Sequence, residues 1–330
     1  YFMKLSSVND LKNKVLKELS AQITGDYVLL DIPNHKNIGD HLIYKGELDF
    51  FREIPFVCKA QSSVTFNFSG EIKSNIILLH GGGNFGDLYP MHQRFREKVI
   101  CENSNKRIII LPQSVQFNKE SEAIESAKIF NQHPDLTICA RDQYSFEYLK
   151  KYFGNCTIIM VPDMAFCSQY KKPKQASKDL LIMKRRDFEI GNSDEAKISN
   201  DYSVSDWTTF EPTINESIAK YYEKVNNKLS KVFFSLIKQD SVFGLFPLRT
   251  EKEYTQLGID LVSQYRFVIS TRLHGHILCM LLGIPSIIVD NSYGKNKRFY
   301  DTWLKDVENS YFAKTIEEAL ELYNKMKDEK

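Results

Sequence analysis

Apolar positions follow two rhythms along this chain. In residues 9–24 they recur every fourth position, at Leu11, Val15, Leu19 and Ile23, which predicts an amphipathic helix. From there short, unbroken apolar runs take over: 27–32 (YVLLDI), 54–59 (IPFVCK), 75–80 (NIILLH), 107–112 (RIIILP), 136–141 (LTICAR) and 156–162 (CTIIMVP). Runs that are continuous rather than alternating suit strands covered on both faces, as in a parallel sheet. Helix-period segments separate them at 41–52, 90–103, 119–131 and 142–152, the second with a stripe at Met91, Phe95 and Val99. Regular strand–helix alternation predicts a doubly wound α/β domain.

The rhythm breaks at 170–178 (YKKPKQASK), a polar, basic, proline-containing stretch that reads as part of a linker, and then resumes. Strands are expected at 179–185, 241–247, 266–270 and 286–290, with helices at 251–264 and 274–283. Thr213 with Glu216, and Thr315 with Glu318, have capping-box spacing. The first pair opens a helix bearing Ile214, Ile218, Tyr221, Val225 and Leu229 on one face, and the second opens the last helix. The expected architecture is α/β, two Rossmann-like doubly wound domains facing across a cleft: 3–165, a linker at 166–178, and 179–330. A length of 330 residues agrees, because one core rarely serves that many.

Composition narrows the classes of function. Hydrophobic residues make up 42% and charged residues 26%, as in globular proteins, and the formal net charge is only +2. So balanced a charge argues against a nucleic-acid partner. The six cysteines, at 58, 101, 139, 156, 167 and 279, form no CxxC and are read as reduced, partly buried thiols of a cytoplasmic protein. Tyr1 and Phe2, ahead of Met3, are set aside as expression remnants, and no signal peptide is expected. The longest apolar stretch, 277–289, is interrupted by Gly283 and Pro285, so no bilayer span is expected. Residues 229–238 (LSKVFFSLIK), apolar between basic ends, read either as peripheral membrane contact or as the continuation of a core helix.

In open α/β sheets ligands bind beyond the carboxyl ends of the strands. Four loops so placed are chemically unusual. Residues 34–41 (NHKNIGDH) offer Asn37, Gly39 and Asp40 at a helix start, where an ordinary capped turn would look the same. Residues 78–87 (LLHGGGNFGD) offer Gly81, Gly82, Gly83, Asn84, Gly86 and Asp87. The glycines permit close backbone approach and an anion nest, but match neither a Walker loop nor GxGxxG. Residues 184–189 (KRRDFE) place Arg185 and Arg186 after a strand, as an anion clamp or a solvated turn. Residues 269–276 (ISTRLHGH) set Arg272, His274 and Gly275 at a helix N-terminus, already electropositive, so an anion is expected to join them. The plain alternative is an Arg272 paired with a nearby carboxylate and a buried, satisfied His274. His274 and His276, two apart, do not share a helix face as a metal pair would. Residues 290–303 add Asn291, Lys295 and Lys297 to the same edge. A cationic domain facing one that bears carboxylates describes a transferase.

The segments NIGDH, HGGGNFGD, ARDQYS (140–145), VPDMAF (161–166), RRDFE and TRLHGHILCMLLGIPSIIVDNSYGKN, in this order, resemble the polysaccharide pyruvyl transferase family over nearly the whole chain. The resemblance implies a GT-B-like fold, phosphoenolpyruvate as donor, and a sugar acceptor in a bacterial exopolysaccharide or capsule, or in its lipid-linked precursor. The product is then a pyruvate ketal across two hydroxyls. By the same resemblance Arg272 grips the donor and His274 carries the proton. Arg185 or Arg186 forms a second clamp, with Gly275, Asn291 and Lys295 on the donor side and Asp40 or Asp87 as base or acceptor contact. With no DxD pair in the sequence, no metal or cofactor is expected. The oligomeric state is not legible. The enzyme is expected in the cytoplasm, at the inner membrane face if the acceptor is lipid-linked. A nucleotide-sugar-dependent glycosyltransferase is the alternative reading; it needs a base pocket and a ribose-binding carboxylate, and neither is evident in the sequence. A non-catalytic anion- or sugar-binding module is a third.

Overall fold

A computed structural model describes residues 5–64, 72–171, 176–186, 198–199, 202–210, 225 and 250–329. The fold is α/β with two sheets, and every strand pairing in both is parallel. The first half contains α1 (Val8–Ser20), β1 (Tyr27–Leu30), α2 (Ile38–Phe51), β2 (Cys58–Ser62), β3 (Ile76–Leu79), β4 (Gly82–Phe85) and α3 (Pro90–Glu102). It continues with β5 (Arg107–Val115), α4 (Glu120–Phe130), β6 (Leu136–Ala140), α5 (Gln143–Tyr152) and β7 (Thr157–Met160). Its sheet runs β2–β1–β3–β5–β6–β7, with β4 on β5. The second half contains β8 (Lys178–Met183), β9 (Ser203–Ser205), α6 (Glu251–Val262), β10 (Tyr265–Ser270), α7 (Leu273–Leu282), β11 (Ser286–Val289), α8 (Lys295–Trp303), β12 (Ser310–Ala313) and α9 (Ile316–Asp328). Its sheet runs β12–β11–β10–β8–β9.

Local chemistry explains the element ends. Ser7 with Asp10, and Thr250 with Glu253, close capping boxes on α1 and α6. Thr315 accepts the Glu318 N–H at the start of α9. Gly283, at φ 70°, stops α7 in the left-handed conformation that glycine tolerates. Four expectations shift. The strand expected at 54–59 begins at Cys58, beyond Pro55, which has no N–H for a ladder. β5 continues past Pro112 because a register shift between Ile110 and Gln113 absorbs it. The glycine run after β3 is partly a strand, β4. Finally, α3 turns Gln93, Arg96, Val99 and Ile100 inward while Met91 is 56% exposed. That face is set by polar partners: Arg96 reaches Asp31 and Asn84, and Gln93 reaches the Gly86 N–H and Ser126. The helix expected from Thr213 (213–229, apart from Val225), the strand at 241–247 and the segment 229–238 lie outside the described residues.

The two sheets share packing. One core cluster joins Leu11, Ile38, Leu42, Ala165 and Phe166 to Leu181, Val268, Ile277, Leu278 and Phe299. Phe166, Cys167 and Ser168, at the start of the expected linker, are buried. A 3-10 turn, Met164–Cys167, lies so close to α2 that a Cβ on Gly46 would overlap the Met164 carbonyl oxygen. Gly46→Ala is therefore expected to destabilise the fold by about 1–3 kcal/mol or more, read as a lower urea midpoint with an unchanged m-value. Four of the six cysteines are buried and all are unpaired; Cys101 is exposed. Among the described residues no helix is long and apolar enough to cross a membrane.

Candidate active site

Strand order predicts where a ligand sits. In the first sheet the order reverses between β1 and β3, and in the second between β8 and β10. The loops leaving these four strands face one another across a cavity of about 330 Å³. The first half lines it with His35, Lys36, Asn37, Gly39, Asp40, Gly83, Asn84, Tyr89, His92 and Arg141. The second half contributes Arg185, Trp207, Arg272, Leu273, His274, Lys295 and Asn296. Among the described residues five Lys or Arg side chains line it, with Asp40 as the lining carboxylate. Asp163 and Asp206 stand directly behind two of them, Arg141 and Arg272. The mouth of α7 adds the positive end of a helix dipole.

Asp163 links the two halves. It is fully buried, accepts Arg141 Nη1 at 2.5 Å and the Ala165 N–H at 2.9 Å, and lies 3.3 Å from His274 Nε2. Burial works against its charged form, but His274 and Arg141 outweigh that and hold the carboxyl well below its ordinary value. Arg141 is itself anchored by Ser114 through Nε and by Trp303, whose indole donates to the Arg141 carbonyl. Arg272 is 5% exposed and forms a two-pronged pair with Asp206, with Nη2 2.7 Å from Oδ2. Asp206 also accepts the Arg186 and Trp207 N–H groups. Arg272 thus meets the cavity with its charge already countered, so the plain alternative holds for it in part. His276 is a neutral core histidine between Ser286 and Ser310, its pKa pushed by burial down to about 3.

The opposite wall is built from short side chains and caps. Asn37 accepts the Gly39 N–H at the start of α2 and donates to Asp40, which also lies 3.4 Å from His35 Nε2. A Cβ on Gly39 would come within 3.0 Å of His274 Nδ1, so the missing side chain admits that ring. The glycine run works in the same way. A Cβ on Gly83 would overlap Lys295 Nζ and sit 3.0 Å from Arg141 Nη2, so Gly83 makes room for cations arriving from both halves. Behind the run, Glu47 accepts the Gly81 N–H at 2.9 Å and pairs with buried His80 at 2.8 Å. Burial opposes the His80 charge, but Glu47 prevails and the pKa is raised.

Several expected site residues lie elsewhere. Asp87 does not line this cavity: its carboxylate accepts the Asn118 and Lys119 N–H groups beside a separate depression lined by Gln93 and Glu97. The Gly81 N–H is committed to Glu47 and the Gly86 N–H to Gln93, so neither serves an anion nest. Gly82 and Gly86 supply positive φ, 136° and 128°, behind the cavity wall. Gly275 is a packing residue, since a Cβ there would crowd Met183 Sδ and Ser270 Oγ. Asn291 does not line the cavity; its Oδ1 accepts the Lys295 N–H and sets the start of α8. Arg186 is exposed and meets Asp206 through its backbone. Arg185 does line the cavity, its N–H held by Thr271. Arg141, Asp163, Asp206, His92 and Asn296 are additions. Arg141 and Asp163 follow β6 and β7 directly, so the strand-end rule carried through those strands finds them.

Comparison with known proteins places this geometry. The profile described as Polysaccharide pyruvyl transferase matches residues 37–293, which include most of the cavity lining from both halves but not His35, Lys36, Lys295 or Asn296. Pyruvyl transferase 1 of Schizosaccharomyces pombe is 30% identical over 301 residues, covering 84% of this chain and 69% of that protein. EpsO of Bacillus subtilis (strain 168), provisionally named a pyruvyl transferase, is 32% identical over 290 residues, covering 86% and 87%. The crystal structure of an uncharacterized Klebsiella pneumoniae protein, at 21% identity, superposes with a TM-score of 0.55 over 92% of this chain and 98% of that one. That likeness concerns the fold alone. With more than half its length matched by the family profile, the chain belongs to the polysaccharide pyruvyl transferase family.

Proposed function

We propose that this chain transfers the enolpyruvyl group of phosphoenolpyruvate to two hydroxyls of one sugar, forming a pyruvate ketal during assembly of a bacterial exopolysaccharide or capsule. In this reading the sheets belong to two Rossmann-like domains, 3–165 and 179–330 joined by 166–178, in a GT-B-like arrangement. The second presents the donor, with Arg141 of the first reaching toward it, and the first presents the acceptor. The supporting observation is the cavity: cationic side chains from both halves and an acid-paired histidine gathered at the joint switch points of two parallel sheets. Phosphoenolpyruvate carries a carboxylate and a phosphate, so it needs several cationic contacts. Arg185, Lys295 and Arg141 supply them, while Arg272, held by Asp206, adds guanidinium edge and field from behind. His274, steadied by Asp163, gives its proton to the methylene carbon, and C2 becomes electrophilic. A sugar hydroxyl adds to C2, phosphate leaves, and the second hydroxyl closes the ketal. The reaction belongs in the cytoplasm, at the inner membrane face when the acceptor is lipid-linked.

The test is mass spectrometry of p-nitrophenyl glycosides incubated with the protein and phosphoenolpyruvate, with released phosphate measured in parallel. A product heavier by one pyruvate less one water, with equimolar phosphate, is expected. Calorimetric binding of nucleotide sugars in place of phosphoenolpyruvate would overturn the proposal.

A further inference from the structure

On the wall away from Arg272 and His274 a further histidine faces the cavity, besides His35. His92, on α3, is 16% exposed, lines the cavity, and has Nδ1 2.7 Å from Asp31 Oδ1. Asp31 is buried and follows β1 at φ 66°, a left-handed conformation that non-glycine residues seldom adopt and that often marks functional sites. Its other oxygen accepts Arg96 Nη2 at 2.9 Å. Arg96 is fully buried and in turn bonds the Asn84 carbonyl and side chain. The carboxylate is thus fixed from two sides. By holding Nδ1 it sets the tautomer in which the Nε2 lone pair is an acceptor, and among the described residues no hydrogen bond to Nε2 is present.

We infer that Asp31 and His92 form a catalytic dyad in which His92 is the general base for the attacking sugar hydroxyl. This rests on the transfer reading above and names its missing base. In the addition step the hydroxyl oxygen bonds to C2 of the enolpyruvyl group and its proton passes to His92 Nε2. The C2–C3 π pair takes the proton of His274 at C3. Two protons move: the C2–O, C3–H and His92 Nε2–H bonds form as the hydroxyl O–H, the His274 N–H and the C2–C3 π bond break, and phosphate stays in place until the next step. Asp40 serves the role less well: it already accepts from Asn37 and lies beside His35, and the histidines around it outweigh burial and keep it ionised below its ordinary value. Charged or titratable groups around His92 are Asp31 after β1, Arg96 on its own helix, His35 and Asp40 at the start of α2, and Tyr89, whose ring centroid is 6.4 Å away.

The test compares the parent with His92→Gln and His92→Ala, using phosphoenolpyruvate and the p-nitrophenyl glycoside panel. Losing a general base costs on the order of 100- to 10,000-fold. Both variants are expected to lose kcat by at least about 100-fold while the Kd for phosphoenolpyruvate by calorimetry moves by less than about threefold. The dyad is overturned if His92→Gln keeps more than about a tenth of parent kcat, or if donor binding falls as far as the rate. A parent that transfers to no glycoside overturns the transfer reading instead, and the dyad with it.

Discussion

His274→Ala is expected to lower kcat by at least about 100-fold, and up to 10,000-fold, while leaving the fold intact. The ring is largely buried at the mouth of α7 and touches Asp163 across the joint between the two halves. No apolar cluster depends on it, so circular dichroism and the melting curve should stay close to the parent's. Proton delivery to carbon is slow without a positioned acid, and no neighbour can substitute: His276 is locked between two serines and His35 lies on the opposite wall. Donor binding should survive, because Arg185, Lys295 and Arg141 remain. If His274→Ala retained half of parent kcat, the proton would have to come from elsewhere.

Asp163→Asn should damage stability and activity together. The amide keeps the shape but removes the charge that counters Arg141, a guanidinium 1% exposed. Breaking a buried pair on one side costs about 3–5 kcal/mol. The same change frees Arg141 and His274 from their common anchor, so kcat and donor affinity should both fall. The pH dependence separates this from simple misfolding. Asp163 has a folded-state pKa well below the ordinary 3.8, so its contribution is complete above that value and is lost as pH falls through the depressed one. The stability gap between parent and variant in urea should hold steady from pH 8 to about 5 and narrow only below about 4. A gap that closed near neutrality would point to a different group.

The sequence carries the fold well, for a physical reason. Short continuous apolar runs suit strands covered on both faces, and each run expected as a strand among the described residues overlaps one, with boundaries moved by Pro55 and Pro112, while the apolar run 277–282 is helical in α7. The reversal points were harder, because strand order is not written in hydropathy. The cationic wall was legible where cations broke a pattern, at Arg185, Arg272, His274 and Lys295, all of which line the cavity. Their countercharges were not. Asp206 and Asp163 stand far from Arg272 and Arg141 in the chain and meet them only through sheet geometry. A carboxylate after a glycine run looks alike whether it faces a ligand or caps a turn, and Asp87 accepts two backbone N–H groups away from this cavity. His92 gave no signal, since it lies inside a helix and its partner follows a different strand.

The glycine at position 83 has a consequence for how such a pocket can change over time. Because Lys295 crosses from the other half into the space a methyl group would occupy, the two positions are sterically tied. A larger residue at 83 evicts the lysine, and a shorter residue at 295 leaves a hole beside Arg141. Change at either position therefore has to be matched by change at the other, so this part of the pocket varies in pairs across the two halves and not one residue at a time.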